Sequence, residues 1–228
     1  MRLTFIAAEP REFAGFLAHI DAQRVPRLPV HWARAGTWKQ HEVLLIANGA
    51  GPVRSASAAK ASGVAAAIIS VGFCGALDLD LKIGDVIVAD KVFFSTQMFA
   101  CRSIITSESF RHGAICSSAR IAATAKEKEQ LRRTGAVAVE MEAGGIASYA
   151  QDCGLPFFCV RAVSDLAEET FSNDFNSALG ADGRYRLGRL LGSAFLRPHR
   201  RLPELVRLKQ RCDFASGRLG EFLDSCSF

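Results

Sequence analysis

The stretch Ala136–Glu169 carries the residues whose types and spacing best suit chemistry. An apolar strand, Ala136–Val139, runs into Glu140-Met141-Glu142, and a second apolar run from Phe157 ends in Arg161-Ala162-Val163-Ser164-Asp165. Between them, Ala143-Gly144-Gly145 opens a helix. In open α/β sheets small molecules bind at the carboxyl ends of the strands, and Glu142 and Asp165 both fall at such ends. Two carboxylates there can bind hydroxyls and do general-acid work. Plainer roles compete: an acid favoured by the helix dipole for Glu142, and a helix N-cap for Asp165. Residue types alone leave both open.

The elements that must position these groups alternate along the chain. Leu3–Ala8, Glu42–Ala47, Ala66–Val71, Asp85–Ala89, Ala114–Ser117, Ala136–Val139 and Phe157–Arg161 read as strands. The Ala66–Val71 run is expected to end at Gly72-Phe73-Cys74-Gly75. Helices are expected at Pro10–Ala22, Val53–Ser62, Glu142–Cys153 and, as one long element, Phe175–Leu196. Such alternation predicts an α/β fold with a mixed, mostly parallel sheet and helices on both faces. One catalytic domain is expected over 1–196. A helical appendage follows at 197–228, where six Lys/Arg stand against the single Glu204 between Arg197 and Arg211.

Composition narrows the function classes. A chain of 228 residues, 49% hydrophobic and 22% charged, builds a core without disulfides or metal. The seven cysteines are scattered with no CxxC spacing, which fits a reducing, cytoplasmic setting. The segment Arg197–Arg211 by itself matches the whole net charge of +5, so the rest of the chain is close to neutral and no nucleic-acid partner is expected. No apolar run approaches the roughly 20 residues of a membrane span. Gly49-Ala50-Gly51 lacks the third glycine and the later acid of a dinucleotide site. The five dispersed histidines offer no metal-ligand spacing, and no GxSxG elbow is present.

The run Val139-Glu140-Met141-Glu142-Ala143, followed by Ser164-Asp165, resembles the signature of nucleoside phosphorylases and methylthioadenosine/S-adenosylhomocysteine nucleosidases. Ser70-Val71-Gly72-Phe73-Cys74-Gly75-Ala76-Leu77 and Lys82-Ile83-Gly84-Asp85-Val86 extend the likeness, which covers about residues 1–195. The resemblance implies a three-layer sandwich and cleavage of the bond between a purine, of adenine type, and a ribose. It implies Asp165 as the acid serving purine N7, a role that burial favours by keeping the carboxyl protonated. Glu142 would hold the ribose hydroxyls and Met141 would pack on the sugar. Glu12, counted from the first strand in preference to Glu9, would activate the attacking water. Ala8, Gly49, Gly72, Phe73, Ile121, Glu140 and Ser164 would complete the substrate site. No cofactor or metal is implied, and phosphate enters only as co-substrate of a phosphorylase. A homodimer or larger homo-oligomer is implied as well.

Departures from the family pattern bear on the reaction. Ser70 and Phe73 stand where phosphorylases carry phosphate-binding Arg and Ser, so hydrolysis leads phosphorolysis, with Arg54 and Arg120 as the cations of a rebuilt anion site. Ile121 stands where an aromatic ring stacks on the base. A catalytically silent nucleoside-binding protein is the reading from another class. The apolar stretch after Val92 reads either as a buried strand with its neighbours or as an apolar wall for a hydrophobic 5′ substituent. The tail around Leu202-Pro203-Glu204-Leu205 is similar to the C-terminal extension of the hopanoid-biosynthesis branch, which implies a lipid nucleoside such as adenosylhopane. For the tail at 197–223, two readings stand: a helix packed on protein, or a peripheral membrane contact.

Overall fold

Short aliphatic runs bounded by Gly, Pro and polar residues pair into one central sheet, and the computed structural model describes residues 1–195 and 197–228 of it and its helices. In chain order these are β1 (Arg2–Ala7), β2 (Asp21–Arg24), β3 (Trp32–Trp38), β4 (His41–Ala47), α1 (Pro52–Ala61), β5 (Ala67–Ala76), β6 (Val86–Phe94), β7 (Gln97–Ala100) and β8 (Arg111–Ser117). Then come α2 (Ala125–Arg132), β9 (Ala136–Glu140), α3 (Ala143–Asp152), β10 (Phe157–Asp165), α4 (Phe175–Ala178), α5 (Leu187–Ala194) and α6 (Pro198–Ser225). The ten strands form a mixed sheet in the order β10-β6-β8-β9-β5-β1-β4-β3-β2, with β7 beside β6 and a further β5–β10 pairing.

β5 is the hub. It runs parallel to β1 and to β10 along its length, then its last residues, Gly75 and Ala76, pair antiparallel with β9. The carboxyl ends of β1, β5, β9 and β10 therefore converge, and the site is built there. Strands covered on both faces need no polar alternation, which is why β1, β5 and β10 are continuous apolar runs.

Each face has its own packed layer. On one side Ile6, Ile46, Ile68 and Cys159 bury Ala58 of α1 and Ile146 and Ala147 of α3. On the other, Phe5, Leu45, Ile69 and Val160 pack with Phe13, Phe16 and Ala215, Leu219, Phe222 and Leu223 of α6. The three-layer α/β expectation is met, and the second half of the C-terminal helix is part of the core.

Several boundaries differ from the sequence reading. The helix expected over Pro10–Ala22 is two short 3-10 turns, Pro10–Phe13 and Phe16–His19, followed by β2. The break lies at Gly15, where a Cβ would sit 2.2 Å from the Ser216 carbonyl oxygen of α6, so the backbones touch. β5 does not stop at Gly72: pairing with β10 as far as Gly75 and with β9 at Gly75 and Ala76 carries it on to Ala76. The long helix expected from Phe175 is broken into α4 and α5 by the Gly180–Gly183 turn, with Gly183 at φ 73°; its expected end, Leu196, lies outside the described residues. β2 and β3 escaped notice because strands with so few buried residues lack a continuous apolar signature, and β7 falls inside the apolar stretch after Val92.

Candidate active site

The converging strand ends open into a cavity of about 1060 Å³. Ala8 and Glu12 line it after β1, Phe73, Cys74 and Gly75 from β5, Glu140, Met141 and Glu142 from the end of β9, and Ser164 and Asp165 from β10. Phe171, Phe175, Tyr185, Leu190 and Leu191 close one side, and Leu205, Leu208 and Cys212 of α6 roof it. The sequence-expected carboxylates thus share one chamber.

Glu12 and Glu142 are held by backbone donors. Glu12 closes the first 3-10 turn: its Oε2 accepts from Glu9 N (2.7 Å), while its Oε1 accepts from Phe73 N (2.9 Å). That contact explains Gly72, whose φ is 149° and whose added Cβ would lie 2.4 Å from Glu12 Oε1. Burial pushes the Glu12 carboxyl up from its ordinary value, against the pull of those two N–H donors. Glu142 stands at the N-terminus of α3 and accepts from Gly51 N at 3.1 Å. Burial, then the nearby charges of Glu140 and Glu12, push it up to about 8.

Glu140 serves the frame as well as the chamber. Its Oε2 accepts from Glu142 N (2.9 Å), Ala143 N (2.8 Å) and the fully buried Arg161, while its buried Oε1 has no partner among the described residues. Arg161 also donates to Ser70 Oγ at 2.7 Å, and Ser70 is fully buried. Asp165 accepts from Ser164 Oγ at 2.9 Å and pairs with Lys128 Nζ at 2.5 Å. Met141 lines the chamber almost fully buried.

Two expected lining residues stand behind the wall instead. Gly72 is packed under Glu12, and Gly49 donates its N–H to Ala8 O at 2.8 Å with Asp182 and Gly183 pressed against it. Ile121 is in the lining, fixed at both backbone groups by the Asn176 side chain. Of the cations considered for an anion site, Arg120 lines the chamber but pairs with Glu127 at 2.7 Å. Arg54 is tied to Asn48 O and His31, outside the lining. Among the described residues no group of three His, Cys, Asp or Glu can hold a metal, and no helix is long and apolar enough to cross a membrane.

Sequence reading missed Lys128 and the aromatic side of the chamber. Lys128 sits in Ala125-Lys126-Glu127-Lys128-Glu129, which has the look of a solvated helix face, and no local signal marks it. Phe171, Phe175 and Tyr185 fall in what reads as a loop and a helix; Phe171 is held by the Ala123 carbonyl, and the turn at Gly180 folds Tyr185 back beside Leu179.

Fold and site together define a three-layer α/β protein with carboxylates from three strand ends facing a small-molecule chamber. The family model of the phosphorylase superfamily matches residues 2–105 and 101–194. The chain belongs to that superfamily. It is 27% identical over 176 residues to the 5′-methylthioadenosine/S-adenosylhomocysteine nucleosidase of Staphylococcus aureus, covering 63% of this chain and 77% of that one. Its fold is similar to that of the S-adenosylhomocysteine nucleosidase of Streptococcus pyogenes in complex with 5-methylthiotubericidin (TM-score 0.73, 23% identity, 99% of this chain and 95% of that one). The futalosine hydrolase of Helicobacter pylori is similar too (TM-score 0.72, 17% identity, 99% and 96% covered).

Proposed function

We propose that the protein is a purine nucleosidase that hydrolyses the N-glycosidic bond of an adenine-type nucleoside, with no cofactor and no phosphate. The observation that carries this reading is the meeting of Glu12, Glu142 and Asp165 in one chamber of nucleoside size. Glu142 binds the ribose hydroxyls and steadies the electron-poor sugar as the bond stretches, with Met141 against the ring. Asp165, oriented by Ser164, serves N7 of the departing base. Glu12 takes the proton of the attacking water. A proton acceptor is what hydrolysis requires and phosphorolysis does not.

The nucleosidase activity of relatives supports this choice of reaction. So does the neighbourhood of Glu12. Its carboxylate already occupies the Phe73 N–H, Phe73 offers no side-chain donor, and Ser70 is sealed beneath Arg161. A phosphate dianion finds no welcome beside a carboxylate there. In this reading Phe171 and Phe175 supply aromatic surface near the base, where Ile121 supplies none.

The proposal puts the groups that act on substrate in 1–196 and gives 197–228 the role of a cover. Leu190, Leu191, Leu205 and Leu208 make one end of the chamber apolar, which supports a substrate with a hydrophobic 5′ substituent, such as methylthioadenosine or adenosylhopane. A peripheral membrane contact through 197–223, a homo-oligomeric assembly and a cytoplasmic setting belong to the same proposal.

Incubation with 5′-methylthioadenosine, with and without phosphate, tests the core of it. Free adenine and free sugar in phosphate-free buffer are expected. A strict phosphate requirement with a sugar 1-phosphate product overturns hydrolysis, and tight nucleoside binding without turnover, unchanged in Asp165→Asn, overturns catalysis.

A further inference from the structure

Lys128 is buried to 1% exposure on α2, whose other residues are exposed or half-buried. A lysine on such a helix ordinarily reaches solvent. This one turns inward: Nζ donates to Asp165 Oδ2 (2.5 Å) and to Leu166 O (2.6 Å), and its remaining side faces the Phe171 ring, 5.4 Å to the centroid. The helix is anchored for that purpose by the Thr124–Glu127 capping box, one residue before Lys128. Asp165 keeps 12% of its side chain exposed, on the chamber side. The carboxyl therefore stands between the ammonium and any ligand. A buried ion pair adds little to stability over well-packed apolar residues, so folding alone does not account for a lysine here.

Resting on the reading that Asp165 serves the departing base, we propose that Lys128 is a positioning residue that relays the required proton through Asp165. The pair holds its mobile proton on Nζ. As the bond from the sugar C1′ to base N9 breaks, its electrons stay on the base; a proton passes from Nζ to Asp165 and from Asp165 to N7. Lys128 is left as the neutral amine. Water adds to C1′ and gives its proton to Glu12, which releases it to solvent, and Lys128 regains one from solvent. No oxidant, metal or second substrate is needed.

Lys128→Met and Lys128→Arg decide the matter, with kcat and KM measured separately for adenine release from 5′-methylthioadenosine. Both variants are expected to lose about 10²-fold or more in kcat, with KM within about threefold of wild type. Arginine keeps the charge and the ion pair but does not give up its proton. Recovery of kcat by Lys128→Arg to within about threefold of wild type overturns the relay and leaves a counter-ion. A loss carried mainly by KM overturns it too. A second substrate, 4-nitrophenyl riboside, leaves as a phenolate without needing a proton. Turnover of it that survives in both variants supports the relay, whereas equal loss on both substrates points to a damaged chamber and overturns it. If Lys128→Met fails to fold, Lys128→Arg carries the test alone. Wild-type protein that releases no adenine sinks the underlying nucleosidase reading, and the relay with it.

Discussion

At Glu142 four influences meet: a chamber wall that excludes water, two neighbouring carboxylates, the Arg161 guanidinium and one backbone N–H. The first two win, and the folded-state value stands near 8 against an ordinary 4.5. A carboxyl raised in this way stabilises the fold most at low pH, fully below 4.5, and that contribution is lost as pH climbs to about 8. Glu142→Gln removes the titration while its amide oxygen can still accept from Gly51 N. The Tm of the variant relative to wild type is therefore expected to rise between pH 5 and pH 8.5, and calorimetry across that range checks it. A flat difference refutes the assignment. Asp165→Asn and Glu12→Gln are expected to cut kcat by about 10²- to 10⁴-fold each, in assays of adenine release, while circular dichroism stays unchanged. These acids were legible in the sequence because motif and strand end coincide. Lys128 was not, since its importance comes from a partner across the fold.

Among the elements, the first 3-10 turn and α6 depend on each other. Gly15 and Gly220 meet backbone to backbone: a Cβ on Gly220 would lie 2.2 Å from the Gly15 carbonyl carbon, and one on Gly15 would lie 2.2 Å from Ser216 O. Neither obstacle is a flexible side chain. Gly220→Ala is expected to cost about 1–3 kcal/mol, or roughly 2–4 °C in Tm per kcal/mol in a chain of this size. Thermal melting reads the effect directly. Because the same contact sets the turn that carries Glu12, kcat of Gly220→Ala is expected to fall as well, whereas Gly217→Ala, with open space for its Cβ, keeps kcat and raises Tm through the better helix propensity of alanine. The sequence pattern revealed most strands but joined the turns into a helix here, as no local rule announces that a distant helix will press against Gly15.

For the molecule as a whole, α6 divides into two parts with different fates. Ala215, Leu219, Phe222 and Leu223 are buried under the sheet, while Leu202, Val206 and Phe214 are exposed. Deleting 197–228 uncovers Phe5, Phe16 and Trp38 and is expected to yield insoluble protein, scored by solubility on expression. Replacing Arg197, Arg200 and Arg207 with Gln touches only exposed side chains and leaves the core alone. If the tail meets membranes, that triple variant will lose co-sedimentation with anionic vesicles while keeping its Tm; binding that persists refutes an electrostatic contact. Sedimentation of the intact chain reports the proposed homo-oligomer, and a monomer at micromolar concentration refutes it.

What the sequence by itself determined is the α/β class and most of the strands, because strand periodicity and apolar burial are rules of near neighbours along the chain; the acids at the strand ends took their roles from the resemblance to nucleoside phosphorylases and nucleosidases. Only the tertiary structure decided that Glu12 docks on the Phe73 N–H, that α6 roofs the chamber, and that an outwardly ordinary helix turns a lysine inward onto Asp165. Those contacts join residues far apart in sequence, and they arise from close packing and from the need to give every buried polar group a partner, neither of which any short stretch of chain contains.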